Sequence, residues 1–250
     1  METTQNAKLK PLIDHFPGGV IVIRNLLSRK NVEDILCTVE DKILSDGLLE
    51  LNYGRVFPGL FRHFPELKKL MEDDRLLNPV SAAIGCKPVE VRITDHSDYH
   101  INTLGGWHND LGDHVGGYVD EKYRDAKIYK LGIFYSNKEN QLGTLVTEFK
   151  VGKKLFRPRY EIGDILIFPI QIEHRGFPGS FMTRVMLWLS RRAILNNYGL
   201  WNRFVNLFRQ WENKKCNRKA IFFTFGKRGA ALDQFEERNI AREKGQEVKC

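Results

Sequence analysis

Apolar and polar positions divide this chain into segments of two kinds. Residues 19–24, GVIVIR, are an apolar β-branched run after Pro17-Gly18 and read as a strand. Ser28 then suits a helix N-cap, and Val32, Ile35, Leu36, Val39 and Ile43 recur at helical spacing, which predicts an amphipathic helix. A second helix is expected over 65–84, opening at Pro65 and carrying Leu67, Leu70, Met71 and Leu76 on one stripe. From about residue 88 the period shortens. VEVRIT (89–94) alternates, IYKLGIFYS (128–136) and LGTLVTEFKV (142–151) read as strands, and Glu161-Ile162-Gly163-Asp164 is a turn leading into the apolar run ILIFPI (165–170). RVMLWLS (184–190) is a further strand candidate. Short strands with Gly and Asp turns, following helices, predict an all-β core with flanking helices, a sandwich or a barrel.

The tail reads differently. Trp201, Phe204, Val205, Phe208 and Trp211 recur every three or four residues on a predicted helix. AIFFTF (220–225) is strand-like, and 230–244 is a charged helix-like segment. The aromatic stripe packs against the core on the plain reading. The sharper reading is a homodimer interface.

Composition narrows the class. A chain of 250 residues with 42% hydrophobic content can bury one sizeable core. The net charge of +8 would suit an anionic ligand, but much of it lies in the last fifty residues, in runs such as Lys214-Lys215 and Arg218-Lys219. No basic stripe interleaves with aromatics on a recognisable nucleic-acid module, so no nucleic-acid partner is expected. The polar start METTQNAKLK has no apolar signal region, and no stretch is long and apolar enough to span a membrane. Cys37, Cys86, Cys216 and Cys250 form no C-x-x-C pair, so a zinc ribbon or disulfide framework is not expected. These features point to a reducing, cytoplasmic setting.

The chemistry concentrates in GGWHNDLGDH (105–114). His108-Asn109-Asp110 is an H-x-D triplet, whose imidazole and carboxylate can turn toward one ion. A further histidine on another core strand would complete the 2-His-1-carboxylate face that binds Fe(II) and leaves positions open for oxygen chemistry. His174, after the buried run ILIFPI, meets that demand. Downstream, Arg184 heads the apolar run VMLWL, and an inward arginine there requires an anionic partner such as a small dicarboxylate. Singly, each residue is more often an ordinary polar or ion-paired side chain; the combination is what points to a metal. His96-Ser97-Asp98 repeats the triplet, but Gly105-Gly106-Trp107 leads into His108 and a predicted strand follows it. His63, His96, His100 and His114 then remain as surface residues or supports of the site, with His100 and His114 nearer the cleft.

These motifs together resemble the phytanoyl-CoA dioxygenase-like branch of the Fe(II)/2-oxoglutarate oxygenases. "GGVIVIRNLLSRKNVEDI" is similar to that family's opening strand and helix, and "GGWHND" to its first metal motif. "IFYSNKENQLGTL" is similar to the segment between the ligands, and "GDILIFPIQIEHRGFPGSFMTR" to the distal histidine block with its cosubstrate arginine. The resemblance spans residues 18–192. It implies a double-stranded β-helix (a cupin-like jelly roll) over 1–195, with 196–250 as a C-terminal helical extension packed on it or at a dimer interface. It also implies iron held by His108, Asp110 and His174, and 2-oxoglutarate paired with Arg184 and a second contact, Arg92. Met186 stands where related oxygenases often carry a serine beside that arginine.

Such enzymes couple decarboxylation of 2-oxoglutarate, to succinate and CO2, to O2-driven oxidation of an unactivated C–H bond. The carboxylate of Asp110 favours hydroxylation over halogenation, which needs a small residue there. Desaturation, epoxidation and ring closure use the same oxidant. The Gly-rich, polar insertion 111–127 follows the metal motif, where loops commonly line pockets. Asn109, Asp113, His114, Tyr118 and Arg175 could meet a polar substrate, such as a sugar or an amino-acid-like metabolite. An acyl-CoA would also suit the basic charge. The alternative from another class is a non-catalytic, metal-bearing jelly roll that binds or senses a ligand.

Overall fold

The computed structural model describes residues 11–46, 49–51, 54–101, 107–111, 123, 125–136, 145–178, 207 and 218–247. A short hairpin, β1 (Ile13–His15) with β2 (Ile21–Ile23), opens the chain. Then come α1 (Arg29–Asp46), β3 (Leu49–Leu51), β4 (Gly54–Pro58), α2 (Leu60–His63), α3 (Pro65–Met71) and α4 (Asp74–Ala83). The remaining elements are β5 (Val91–Ile101), β6 (Ile128–Ser136), β7 (Leu145–Val151), β8 (Lys154–Phe156), β9 (Ile165–Pro169), β10 (Glu173–Pro178), β11 (Arg218–Lys227) and α5 (Ala230–Glu247).

Among the described residues two antiparallel sheets form. The larger runs β1-β2-β9-β6-β11-β5-β4-β3, and the smaller runs β10-β7-β8. Their facing surfaces enclose Val20, Val22, Phe134, Phe149, Leu166, Phe168, Ile172, Ala220 and Phe222. The other face of the large sheet buries Ile21, Ile23, Leu131, Ile133, Ile165, Ile221 and Phe223 under the helices. This is the expected jelly roll with flanking helices. β2, β9 and most of β11 are apolar on both faces because both are covered, which is why they read as continuous apolar runs. No described helix is long and apolar enough to cross a membrane.

The helix start at Ser28 is as expected: its Oγ accepts the backbone N–H of Asn31, and Val32, Ile35, Leu36, Val39 and Ile43 are buried. The single helix expected over 65–84 is two. Asp73 interrupts it, extended, and its carboxylate accepts the Arg75 N–H to cap α4. The strand candidate 184–190 and the whole aromatic stripe, Trp201, Phe204, Val205, Phe208 and Trp211, lie outside the described residues.

One expectation changes in substance. The C-terminal region does not simply extend the core with helices. β11 lies in the middle of the large sheet, paired along its length to β6 on one side and β5 on the other. The core therefore includes residues 218–227, and among the described residues after 196 α5 is the helical addition. A ten-residue strand carrying Ile221, Phe222, Phe223 and Phe225 finds cover for both faces only at such a central position.

Candidate metal centre

Strand pleating brings the three expected ligands together. His108 and His174 form an isolated antiparallel bridge, with the His108 N–H donating to the His174 carbonyl (3.2 Å) and the His174 N–H to the His108 carbonyl (2.8 Å). Two residues on, the Asp110 N–H donates to the Ile170 carbonyl at 2.9 Å. Positions 108 and 110 in an extended chain share a face, so both side chains turn toward His174. Ligand atoms of His108, Asp110 and His174 all lie within 4.8 Å of one another.

The donor set fits a cation. His174 Nδ1 lies 3.1 Å from the Ile172 carbonyl. A carbonyl only accepts, so Nδ1 carries the proton and Nε2 presents its lone pair inward. That lone pair faces Asp110 Oδ2 at 3.9 Å, and Oδ2 is buried without a hydrogen-bond donor. Two lone pairs facing each other in a buried site suit a metal ion between them. The ring of His108 stands 4.4 Å from that of His174 and completes the face.

Electrostatics keep Asp110 charged and His174 neutral, the forms that can bind a cation. Burial pushes the Asp110 carboxyl up, but the ammonium of Lys130 above all, then His174 and His108, hold it well below the usual carboxylate range. Lys130 reaches Asp110 Oδ1 at 3.3 Å. Burial, and next the neighbouring His108, push the His174 imidazole down to about 3, against the pull of Asp110.

β5 contributes a second polar row to the same interior. Thr94, His96, Asp98 and His100 alternate with residues facing the helices. His96, expected at the surface or in support, is only 3% exposed and meets the Phe235 ring edge-on. Burial raises the Asp98 carboxyl, yet its hydrogen bond with His100 and the nearby His96 and Lys130 hold it below its usual range. Burial pushes His100 down by more than Asp98 lifts it.

The other expected residues are placed variously. Asn109 turns back on the loop, its Oδ1 accepting the Leu111 N–H at 3.1 Å. Arg175 donates from Nε (2.8 Å) and Nη2 (2.6 Å) to one oxygen of buried Glu148, Oε2, and stacks on Trp107 at 4.3 Å. Arg92 sits near the start of β5 and donates to Asp233 and Glu236 of α5. Asp113, His114, Tyr118, Arg184 and Met186 lie outside the described residues.

Among the described residues, the buried cations Lys130 and Arg218 escaped the sequence reading. Arg218 opens β11, is 3% exposed, and donates from Nη2 to Thr147 Oγ1 (3.2 Å) and the Tyr160 hydroxyl (3.4 Å). Its guanidinium lies 4.7 Å from the centre of the Phe134 ring. The signal for it was present: RKAIFFTF is an arginine heading an apolar strand, the same pattern that drew notice to Arg184.

The sequence matches no protein-family model and no curated protein. Solved structures do match. HygX from Streptomyces hygroscopicus, with nickel and 2-oxoglutarate bound, superposes with a TM-score of 0.52 at 15% identity, covering 84% of this chain and 83% of that one. The alpha-ketoglutarate-dependent carbocyclase SnoK from nogalamycin biosynthesis gives 0.53 at 9% identity, covering 84% and 80%. The epimerase SnoN from the same biosynthesis gives 0.52 at 8%, covering 84% and 78%. The chain shares the jelly-roll fold of these proteins.

Proposed function

We propose that this chain is an Fe(II)- and 2-oxoglutarate-dependent dioxygenase that oxidises an unactivated C–H bond of a small polar metabolite. The observation that carries the reading is the inward pair of lone pairs on Asp110 Oδ2 and His174 Nε2, with His108 beside them. HygX, of the same fold, binds 2-oxoglutarate with nickel and also binds hygromycin B. A ferrous ion with 2-oxoglutarate and O2 supplies the oxidising power when bound, and succinate and CO2 leave.

The chain's own residues do the rest. His108, Asp110 and His174 would hold the ion and leave it the open positions that oxygen chemistry needs. With Asp110 as a ligand no place would be left for a halide, which favours hydroxylation. SnoN and SnoK are an epimerase and a carbocyclase, so other outcomes on this scaffold stay within the reading. Phe134, Phe149 and Phe168 keep water from the interior. Asp98, His100 and Lys130 offer polar contacts to a polar guest.

Arg218 is our choice to receive the distal carboxylate of the cosubstrate. It is buried, inward and flanked by the Thr147 and Tyr160 hydroxyls, which add donors for the same anion. Two measurements test the proposal. Anaerobic protein with Fe(II) and 2-oxoglutarate should develop the weak visible charge-transfer band of an iron–keto-acid chelate, lost in Asp110→Ala. Metabolite screening should then find stimulated succinate release. No band, with wild type and Asp110→Ala alike, favours the non-catalytic binding module. Arg218→Met should weaken 2-oxoglutarate binding by roughly 100-fold or more, from a buried ion pair worth about 3–5 kcal/mol broken on one side. Unchanged affinity there, with a loss in Arg184→Ala, returns the role to Arg184.

A further inference from the structure

Asp110 is tied at nearly every polar atom. Its N–H goes to the Ile170 carbonyl, its Oδ1 receives Lys130, and its own carbonyl oxygen receives Arg238 Nη2 at 3.2 Å. Oδ2 is left facing His174. Arg238 comes from α5, far along the chain. Its second arm, Nη1, donates to the Leu111 carbonyl at 3.1 Å, so one planar fork grips two consecutive peptides of the metal turn.

The guanidinium is itself fixed. It lies 5.2 Å from the centre of the Tyr123 ring and 5.3 Å from that of Phe235, and those two rings meet edge-on at 5.5 Å. Leu111 and Tyr123 are buried in one cluster with Ile128, Ile170, Leu232 and Phe235. α5 therefore fastens the chain on the far side of Asp110 at two points, Leu111 and Tyr123. The helix is docked separately, by Arg92 on Asp233 and Glu236 and by the Asp95 N–H on Glu236.

We propose that Arg238 is a positioning residue for the metal centre: it holds the backbone of the Asp110 turn, so that the C-terminal helix completes a site whose ligands all lie elsewhere. This rests on the metal reading above. Outer contacts that orient a ligand typically change metal affinity 10–100-fold when removed. Without Arg238 the Asp110 carbonyl loses a charged donor and the turn can rotate, moving Oδ2 away from Nε2.

Cobalt(II) titration of the full-length protein tests this, read by ligand-field absorption, with melting followed by circular dichroism. Wild type should bind and Asp110→Ala should not. Arg238→Met should bind about 10–100-fold more weakly and give an altered band, with the melt still cooperative. Arg238→Lys keeps the charge but not the two-armed fork, and should fall between the two. Asp233→Asn weakens only an exposed anchor of the helix (Asp233 is 56% exposed) and should bind cobalt as wild type does. Wild-type affinity and spectrum in Arg238→Met overturn the positioning role while leaving the metal reading standing. Should Arg238→Met fail to fold, wild-type affinity in Arg238→Lys overturns it equally. Absence of cobalt binding in wild type overturns the metal reading itself, and this inference with it.

Discussion

Lys130 joins the chemistry of the site to the stability of the fold. It lies among apolar residues in IYKLGIFYS, and pleating alone puts Ile128, Lys130, Gly132, Phe134 and Ser136 on one face of β6. The pattern pointed to a strand. It did not say that the lysine face would look inward onto a carboxylate, because Asp110 arrives from another segment. His108, Asp110 and His174 were legible by contrast, because few other roles call for those residue types in that order. Arg218 was as visible in kind as Arg184, and only the pairing of β11 between β5 and β6 gives it its place. Lys130→Met leaves the buried Asp110 carboxylate with less compensation. In the metal-free protein it should cost about 3–5 kcal/mol by urea unfolding. Saturating manganese(II) should recover most of that loss, because the ion then supplies the positive charge. An equal loss with and without metal would mean that Lys130 stabilises something other than Asp110.

Among the elements, those made by local periodicity came through well. α1, β6 and β9 follow their expected positions closely. β10 did not, because nothing in EHRGFP is strand-like until β7 pairs with it. β5 extends through HSDYH for a similar reason: β4 and β11 supply hydrogen-bond partners on both sides, and the interior takes the polar face. The turn before β9 depends on Gly163, at φ +99°, where an added Cβ would stand 2.3 Å from the Leu27 carbonyl oxygen. Gly152, at φ +58°, has open space around its missing Cβ. Gly163→Ala should therefore cost about 1–3 kcal/mol. Gly152→Ala should sit at the low end, near the 1 kcal/mol or so of left-handed strain alone. Thermal melts of the two variants side by side check this; equal shifts would mean that the Leu27 contact relaxes freely.

At the scale of the whole molecule, the site taxes the metal-free fold in acid. His174 is held neutral, down to a pKa of about 3 in the folded chain, against an ordinary value near 6.5. The unfolded chain therefore takes up a proton first as pH falls. Stability is complete above about pH 6.5 and declines as pH drops toward 3, by about 2 kcal/mol at pH 5 from this residue alone. Melting temperature of the metal-free protein should fall accordingly from pH 7 to pH 5, and His174→Gln should flatten that slope. At pH 7, nickel(II) at a hundred times its Kd should stabilise by about 2.7 kcal/mol, a rise of roughly 5–10 °C for a chain this long. By itself the sequence determined the class of core, most of the strands and helices, and the three residues that the fold gathers as a candidate metal site, since hydrophobic period and residue chemistry are properties of local stretches. Tertiary structure alone decided that residues 218–227 enter the middle of the large sheet, that Lys130, His96 and Asp98 share the interior with Asp110, and that Arg238 grips the backbone of the Asp110 turn. Each of these is a contact between segments distant along the chain, settled only when two sheets and a helix bury their apolar faces against one another.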